Sequence, residues 1–358
     1  MKVLQLIDSL EPGGAERVAV EYANLLSKHI AGSYLCTTRA EGALLTTMQP
    51  EVKYLFLKRT RTLDYGAFKR LYAYVLNEKI DCIHAHGSSY FLATLIKMRR
   101  PSVVVIWHNH LGASTALAGI KLKVLRYCSS YFDVIINVNK ELVYWANTKL
   151  KCKKVVYLPN FVNFEQQYKG KLPEVSGEKG KRIVCLANLK NPKGHHFLME
   201  SFLILQREVP EATLHLIGRD FKDVYSDKIK RFITNNDLHT NVFIYGLLSV
   251  PESIVEQCDI GVLASSSEGL PMALLEYGKA KLAVVVTNVG YCPEVVQDYG
   301  TFVSYGDTDA MSKALQVYCV NAKKAKQDSV RFKKHIEENF SESQVINSII
   351  DLYKDTIE

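Results

Sequence analysis

Short apolar runs of strand length alternate with longer amphipathic stretches along the whole 358-residue chain. That alternation is the sequence signature of parallel βαβ construction. In the first half the runs predict strands over Lys2–Ile7, Lys53–Leu57, Cys82–Ala85, Val103–His108, Val134–Val138 and Val155–Leu158. The gaps read as helices, most plainly Ala15–Lys28, where Val18, Tyr22, Leu25 and Leu26 share one face. Pro159-Asn160 ends this series, and Lys169–Lys181, rich in Gly, Lys and Glu, reads as an interdomain linker. A second series follows: Arg182–Leu186, Thr213–Ile217, Val242–Tyr245, Ile260–Ala264, Ala283–Thr287 and Phe302–Tyr305. Three helices are predicted to close the chain, over Ala310–Asn321, Lys323–Asn339 and Glu342–Tyr353. The expected fold class is therefore α/β with two domains, residues 1–165 and 166–341, in keeping with a length beyond which a single core stops growing.

Composition adds little except in its distribution. Hydrophobic residues are 47% and charged residues 23%, close to the globular average. The eight cysteines are scattered without a Cys-x-x-Cys pair, which argues against zinc and a disulfide framework and for a reducing compartment. The chain opens on an apolar stretch without a basic leader, and no apolar run reaches membrane-spanning length, so a cytoplasmic protein is expected. Residues 1–165 hold 22 Lys and Arg against 12 Asp and Glu, a net +10, whereas residues 166–358 hold 23 against 25, a net −2. An asymmetry of this kind is either a solvated surface or attraction to an anionic partner such as a membrane face. No nucleic-acid partner is expected.

In open parallel sheets, ligands bind where strands end and helices begin. Four such loops carry chemistry. In Glu11-Pro12-Gly13-Gly14-Ala15 adjacent glycines allow close backbone approach, and the helix start offers free N–H groups to an anion; a plain tight turn is the alternative. Its spacing is neither that of dinucleotide binders nor that of a P-loop. In Ser265-Ser266-Ser267-Glu268-Gly269-Leu270-Pro271-Met272, Pro271 suits a first helical turn, and the amides of Gly269 to Met272 would face a phosphate. Glu268 and Glu276 are eight residues apart, roughly 12 Å if all eight were helical. That is too far for a glycosidase acid/base pair and better suited to grasping two ends of an elongated ligand. The other two loops carry His84-Ala85-His86 and His108-Asn109-His110. Each pair shares a strand face, open to metal ligation or to ordinary packing. Asp307-Thr308-Asp309 precedes a helix and reads as a cap rather than a metal motif.

Glu268-Gly269-Leu270-Pro271 followed by Glu276 resembles the E-x7-E element of retaining glycosyltransferases with the GT-B fold, family 4 in particular. Further matches occur in the family's order. Gly13-Gly14 is similar to its N-terminal glycine pair, Pro159-Asn160-Phe161-Val162-Asn163 to its hinge, Lys193-Gly194 to its Lys-Gly, and Gly290-Tyr291-Cys292-Pro293-Glu294 to its Gly-Gly-x-Pro-Glu. The resemblance implies two Rossmann-like domains facing each other across a cleft, with the last helix, about 342–358, crossing back to the first domain. It also implies transfer of a sugar from a nucleotide-sugar donor to a sugar or lipid-linked acceptor, with retention and without metal, in surface polysaccharide, glycolipid or other glycoconjugate synthesis. The nucleotide sugar is a substrate, and no cofactor is implied.

Residue by residue, the resemblance has Glu276 holding the ribose, Glu268 the transferred sugar, and Lys193 with the amides of Gly269, Leu270 and Met272, around Pro271, the diphosphate. Gly13 and Gly14 would line the opposite wall. His108, with His86 behind it, would donate a hydrogen bond near the anomeric centre. Two positions depart from the family: Asn188 stands where many members carry Arg, and Asp220 replaces the second glycine after Gly218. A nucleotide-sugar epimerase, a phosphorylase or an idle nucleotide-sugar-binding module would share this architecture. The intact Glu268, Lys193 and Glu276 speak against the last.

Overall fold

The structure, a computed structural model, describes residues 1–110, 115, 117–164, 173–248 and 250–358. The chain divides into two compact units, Met1–Phe161 with Glu342–Glu358, and Val162–Ser341. The sequence-based boundary at 165/166 and the start of the expected linker fall outside the described residues.

In the first unit the elements run β1 (Lys2–Ile7), α1 (Gly14–Leu26), β2 (Gly32–Thr37), β3 (Lys53–Phe56), α2 (Tyr65–Asn77), β4 (Cys82–His86), α3 (Tyr90–Arg99), β5 (Val104–Asn109), α4 (Gly119–Cys128), β6 (Val134–Asn137), α5 (Lys140–Lys149) and β7 (Val155–Tyr157). They form a seven-stranded parallel sheet in the order β3-β2-β1-β4-β5-β6-β7. β2 has no counterpart among the predicted strands. Only Tyr34, Leu35 and Cys36 make an apolar run there, and the flanking hydroxyls hide in local bonds: Ser33 Oγ donates to Ala23 O at 2.6 Å, and Thr37 Oγ1 lies 2.6 Å from Tyr54 Oη. Cys82 and Cys185 are buried in strands, where a thiol acts as a small apolar group.

The second unit continues with β8 (Arg182–Leu186), α6 (His195–Glu208), β9 (Thr213–Ile217), α7 (Val224–Asn235), β10 (Val242–Gly246), α8 (Glu252–Val255), β11 (Ile260–Leu263), α9 (Met272–Lys279), β12 (Ala283–Thr287), α10 (Cys292–Val296), β13 (Thr301–Val303), α11 (Thr308–Val320) and α12 (Ala322–Phe340). Its parallel sheet runs β10-β9-β8-β11-β12-β13. Gly278 lets α12 cross α9 closely, since a Cβ there would lie 2.4 Å from Ile336 Cγ1. Asp307 caps α11, accepting from Ala310 N at 2.9 Å, as its position before a helical run predicts.

The last helix, α13 (Glu342–Ile357), belongs to the first unit. It buries Val345, Ile346, Ile349 and Tyr353 there, and the Tyr353 hydroxyl lies 2.6 Å from His84 Nδ1. Both sheets are Rossmann-like, each reversing direction of strand order once: between β1 and β4, and between β8 and β11. Such switch points open a crevice at the carboxyl ends of the strands, which is where ligands settle in this architecture.

Candidate functional site

In the second unit three loops leave adjacent strands β8, β11 and β12 and pack on one another. The first, 187–194, ends at Gly194, whose φ is +70° and whose added Cβ would sit 1.9 Å from Ala264 O. The third holds Gly290, with φ +52°, whose added Cβ would sit 1.9 Å from Glu268 O. Two glycines in left-handed conformation therefore allow an approach no other residue would permit. Between them, Glu268 Oε1 accepts from Lys193 Nζ at 2.6 Å and from Ser265 Oγ at 2.5 Å. The Glu268 side chain is 7% exposed, so the pair is largely shielded from water and held by charge-assisted bonds.

α9 begins at Met272, with Pro271 as its N-cap rather than inside the first turn. Glu268 is therefore in the loop, and the distance estimated for eight helical residues does not describe its separation from Glu276. Pro271 has no N–H to offer, so the donors at this helix start are the amides of Gly269, Leu270, Met272 and the residue after it. Glu276 is buried, 8% exposed, on the same helix.

Tyr277, next to Glu276, was not among the candidate residues. β8 and β11 pair only through Ile183–Ile260 and Val184–Gly261. Beyond that point the Tyr277 hydroxyl stands in for the ladder, accepting from Leu186 N at 2.7 Å and donating to Val262 O at 3.2 Å. Gly261 makes room for its ring, since a Cβ there would lie 2.5 Å from it. A tyrosine beside a motif glutamate, opposite a strand glycine, was the available signal.

The two departures acquire structural explanations. Asn188 Oδ1 accepts from Arg219 N at 2.8 Å, tying the loop after β8 to the loop after β9. Gly218, with φ +156°, is needed because a Cβ would lie 2.1 Å from Ala187 O. Arg219 is exposed and lies over the Phe221 ring at 5.2 Å, beside Lys190 over the same ring at 5.7 Å. Asp220 is structural: it bonds Lys230 Nζ at 2.6 Å and Lys222 N at 2.7 Å, and the Lys230 bond, with smaller help from the Lys222 amide, holds its carboxyl down to about 2.

In the first unit, Gly13 is the N-cap of α1 and Gly14 its first residue, and the loop before them leaves β1 at the switch point. Asp8 organises that loop: Ser88 Oγ donates to it at 2.6 Å, the Thr38 hydroxyl bonds it, and Arg39 and the buried Arg59 approach it at 3.9 and 3.8 Å. The histidines His84 and His86 of β4, His108 of β5 and His110 just after it come together. His84 Nε2 lies 3.1 Å from His108 Nδ1, and His86 Nδ1 lies 2.9 Å from His110 Nε2. Tyr22 covers them, its ring centroid 5.4 Å from that of His84. Burial pushes all four well below the ordinary histidine range, His84 and His110 to about 3, with Asn160 opposing this to a smaller degree at His110. One nitrogen each of His84, His86 and His108 lies within 4.8 Å of the others, a donor set that suits a divalent metal, although each ring is already engaged in a hydrogen bond: His84 with Tyr353 and His108, and His86 with Gln5 and His110.

The two histidines at the end of β5 differ in placement. His108 lies within β5 and has no exposed surface, whereas His110 follows the last residue of β5 and is half-buried. The sequence showed both, and the spacing alone could not rank them.

Residues 12–166 match the family described as Glycosyltransferase Family 4, and residues 169–334 match glycosyl transferases group 1. A UDP-Gal:alpha-D-GlcNAc-diphosphoundecaprenol alpha-1,3-galactosyltransferase of Escherichia coli is 24% identical over 96% of this chain and 94% of its own length. An N-acetyl-alpha-D-glucosaminyl L-malate synthase of Bacillus anthracis is 21% identical over 78% of this chain and 76% of its own. Among solved structures, Anabaena HepE in complex with UDP and glucose superposes with a TM-score of 0.82 at 16% identity, covering 99% of this chain and 100% of that one. The fold is GT-B, two Rossmann-like α/β domains with parallel sheets. The chain is a glycosyltransferase, which moves a sugar from a nucleotide-sugar donor to an acceptor.

Proposed function

We propose that this transferase is retaining and metal-independent, that its second unit holds the donor, and that its acceptor is a lipid-linked glycan at an anionic membrane. The observation that carries the donor assignment is the convergence of Lys193 and Ser265 on one oxygen of Glu268, at the start of a helix bearing Glu276. Lys193 and the amides from Gly269 onward supply positive potential where the departing diphosphate gains charge, without a cation. Glu268 takes the hydroxyls of the transferred sugar and Glu276 those of the ribose. Arg219 supplies the charge missing at Asn188. In the transfer itself the bond from the anomeric carbon to the diphosphate oxygen breaks. The acceptor oxygen bonds that carbon on the same face, and its proton passes to the departing phosphate oxygen. His110, with His86 behind it, attends the sugar.

The acceptor assignment draws support from the E. coli relative, whose name specifies a diphosphoundecaprenol acceptor, and from the surface of the first unit. α4 exposes Ile120 (78%) and Tyr127 (54%) between the exposed Lys121, Lys123 and Arg126, while Leu125 and Cys128 face inward. A helix with such a face lies on membranes through apolar insertion plus about 1 kcal/mol per basic residue near an anionic leaflet. No described helix is long and apolar enough to cross a membrane.

Donor binding is tested by heating the protein with UDP-, GDP- and ADP-sugars, since a ligand specific to the native state raises the Tm. One nucleotide series should stabilise in EDTA as well as in manganese. Stabilisation only with added metal would overturn the metal-independent reading. Sedimentation with anionic liposomes should be strong at low salt and weak at high salt; a protein that stays in the supernatant throughout refutes the membrane assignment.

A further inference from the structure

The histidine cluster is tied together by one amide. Gln5, on β1, is fully buried beside β4, with its Oε1 2.8 Å from His86 Nε2 and its Nε2 3.4 Å from the hydroxyl of Tyr353 on α13. We infer that Gln5 is a positioning residue: its amide fixes the tautomers of His84, His86, His108 and His110 together, leaving His108 with an N–H and His110 with a lone pair at the two ends of the array. The bearing of this on transfer rests on the reading of His110 as the sugar-facing histidine; the tautomers themselves do not.

A carbonyl oxygen only accepts, so His86 Nε2 carries the hydrogen, and a neutral imidazole has one donor and one acceptor. His86 Nδ1 therefore accepts from His110 Nε2, 2.9 Å away, and His110 Nδ1 keeps its lone pair. On the other arm the Gln5 amide nitrogen donates to the Tyr353 oxygen. Tyr353 then gives its own proton to His84 Nδ1 at 2.6 Å. His84 Nε2 donates to His108 Nδ1 at 3.1 Å, and His108 Nε2–H is left over. The two atoms at which the chain ends, His108 Nε2 and His110 Nδ1, are buried without a close hydrogen-bond partner among the described residues; the Asn160 side chain acts more weakly on His110, and its amide can meet either tautomer. Burial keeps all four rings neutral, so each has one donor and one acceptor nitrogen. Turning the Gln5 amide over would reverse every donor, converting four Nε2–H tautomers into four Nδ1–H tautomers. The array is thus a unit with two states, and one side chain chooses between them.

The test is tautomer determination by long-range 1H–15N correlation on full-length protein labelled at histidine, assigned with single His→Gln variants. All four residues are expected as Nε2–H in the wild type. Gln5→Met, close to isosteric, should leave all four as mixtures, whereas Tyr353→Phe should release only His84 and His108. Turnover of Gln5→Met should fall about tenfold or more with donor KM within about twofold, the scale of losing a residue that orients a histidine. Nδ1–H tautomers or mixtures in the wild type, or unchanged tautomers in Gln5→Met, would overturn the assignment. Altered tautomers with an unchanged kcat would instead overturn the role of Gln5 in turnover and leave the proton arrangement standing.

Discussion

A Cβ atom on Gly290 would lie 1.9 Å from the carbonyl oxygen of Glu268, at a backbone φ of +52°. The loop after β12 thus presses on the backbone that carries the central carboxylate of the site. Gly290→Ala adds both left-handed strain and a clash with backbone, together on the order of 1–3 kcal/mol. The clash is relieved by moving the Glu268 backbone or the loop that presses on it. The Tm should drop by several degrees, and kcat/KM by about tenfold or more, with the helical and sheet content intact by circular dichroism. Unchanged kcat/KM would show that the loop contact does not position Glu268.

The two glutamates should separate in their effects. Glu276→Ala is expected to weaken binding of the free nucleoside diphosphate, because a buried carboxylate on α9 is proposed to hold the ribose. Glu268→Gln, which keeps the shape but weakens the bonds to Lys193 and Ser265, should lower turnover more than that affinity. Calorimetric titration with the nucleoside diphosphate and initial rates decide the matter, and equal affinity losses in both variants count against the assignment.

Arg219 is expected to supply charge at the diphosphate, its backbone fixed by Asn188. Losing a charge-assisted hydrogen bond costs about 1.5–3 kcal/mol. Arg219→Ala should therefore raise the nucleoside diphosphate Kd by about tenfold or more, an effect that high salt diminishes. An unaltered Kd would place the compensating charge elsewhere.

Much of this was legible in sequence, and the failures have physical causes. Strands such as Lys2–Ile7 and Thr213–Ile217 are mostly apolar, with a single polar residue inside each run (Gln5, His215), and their predicted and observed limits agree. β2 was missed because Ser33 and Thr37 satisfy their hydroxyls internally, so a buried strand carries polar residues. Motif glycines announced the loops, but which atoms they bring together is a matter of three-dimensional approach. Arg219, Tyr277 and Gln5 were overlooked because their roles come from partners 31, 91 and 348 residues away in sequence.

Histidine burial makes the fold acid-sensitive in a defined window. His84 and His110 are held down to about 3, and His195 and His215 to about 4, all mainly by burial. In the unfolded chain these groups bind protons near pH 6.5. Between the folded and unfolded values the unfolded state therefore holds more protons, and stability falls as pH falls, by up to about 1.4 kcal/mol per pH unit for each histidine. Denaturant midpoints should decline steeply from pH 6.5 to 5. A flat profile over that interval would mean that these histidines are not buried in their neutral form.

The most direct test of the account is transfer itself. The protein, treated with EDTA, is incubated with the nucleotide sugar that stabilises it and with a lipid diphosphate-linked sugar acceptor, and the product is analysed by NMR. The prediction is one new glycosidic linkage with the anomeric configuration of the donor, absent with Glu268→Gln or without acceptor. An inverted linkage, or donor consumption that proceeds equally well without acceptor, would contradict it.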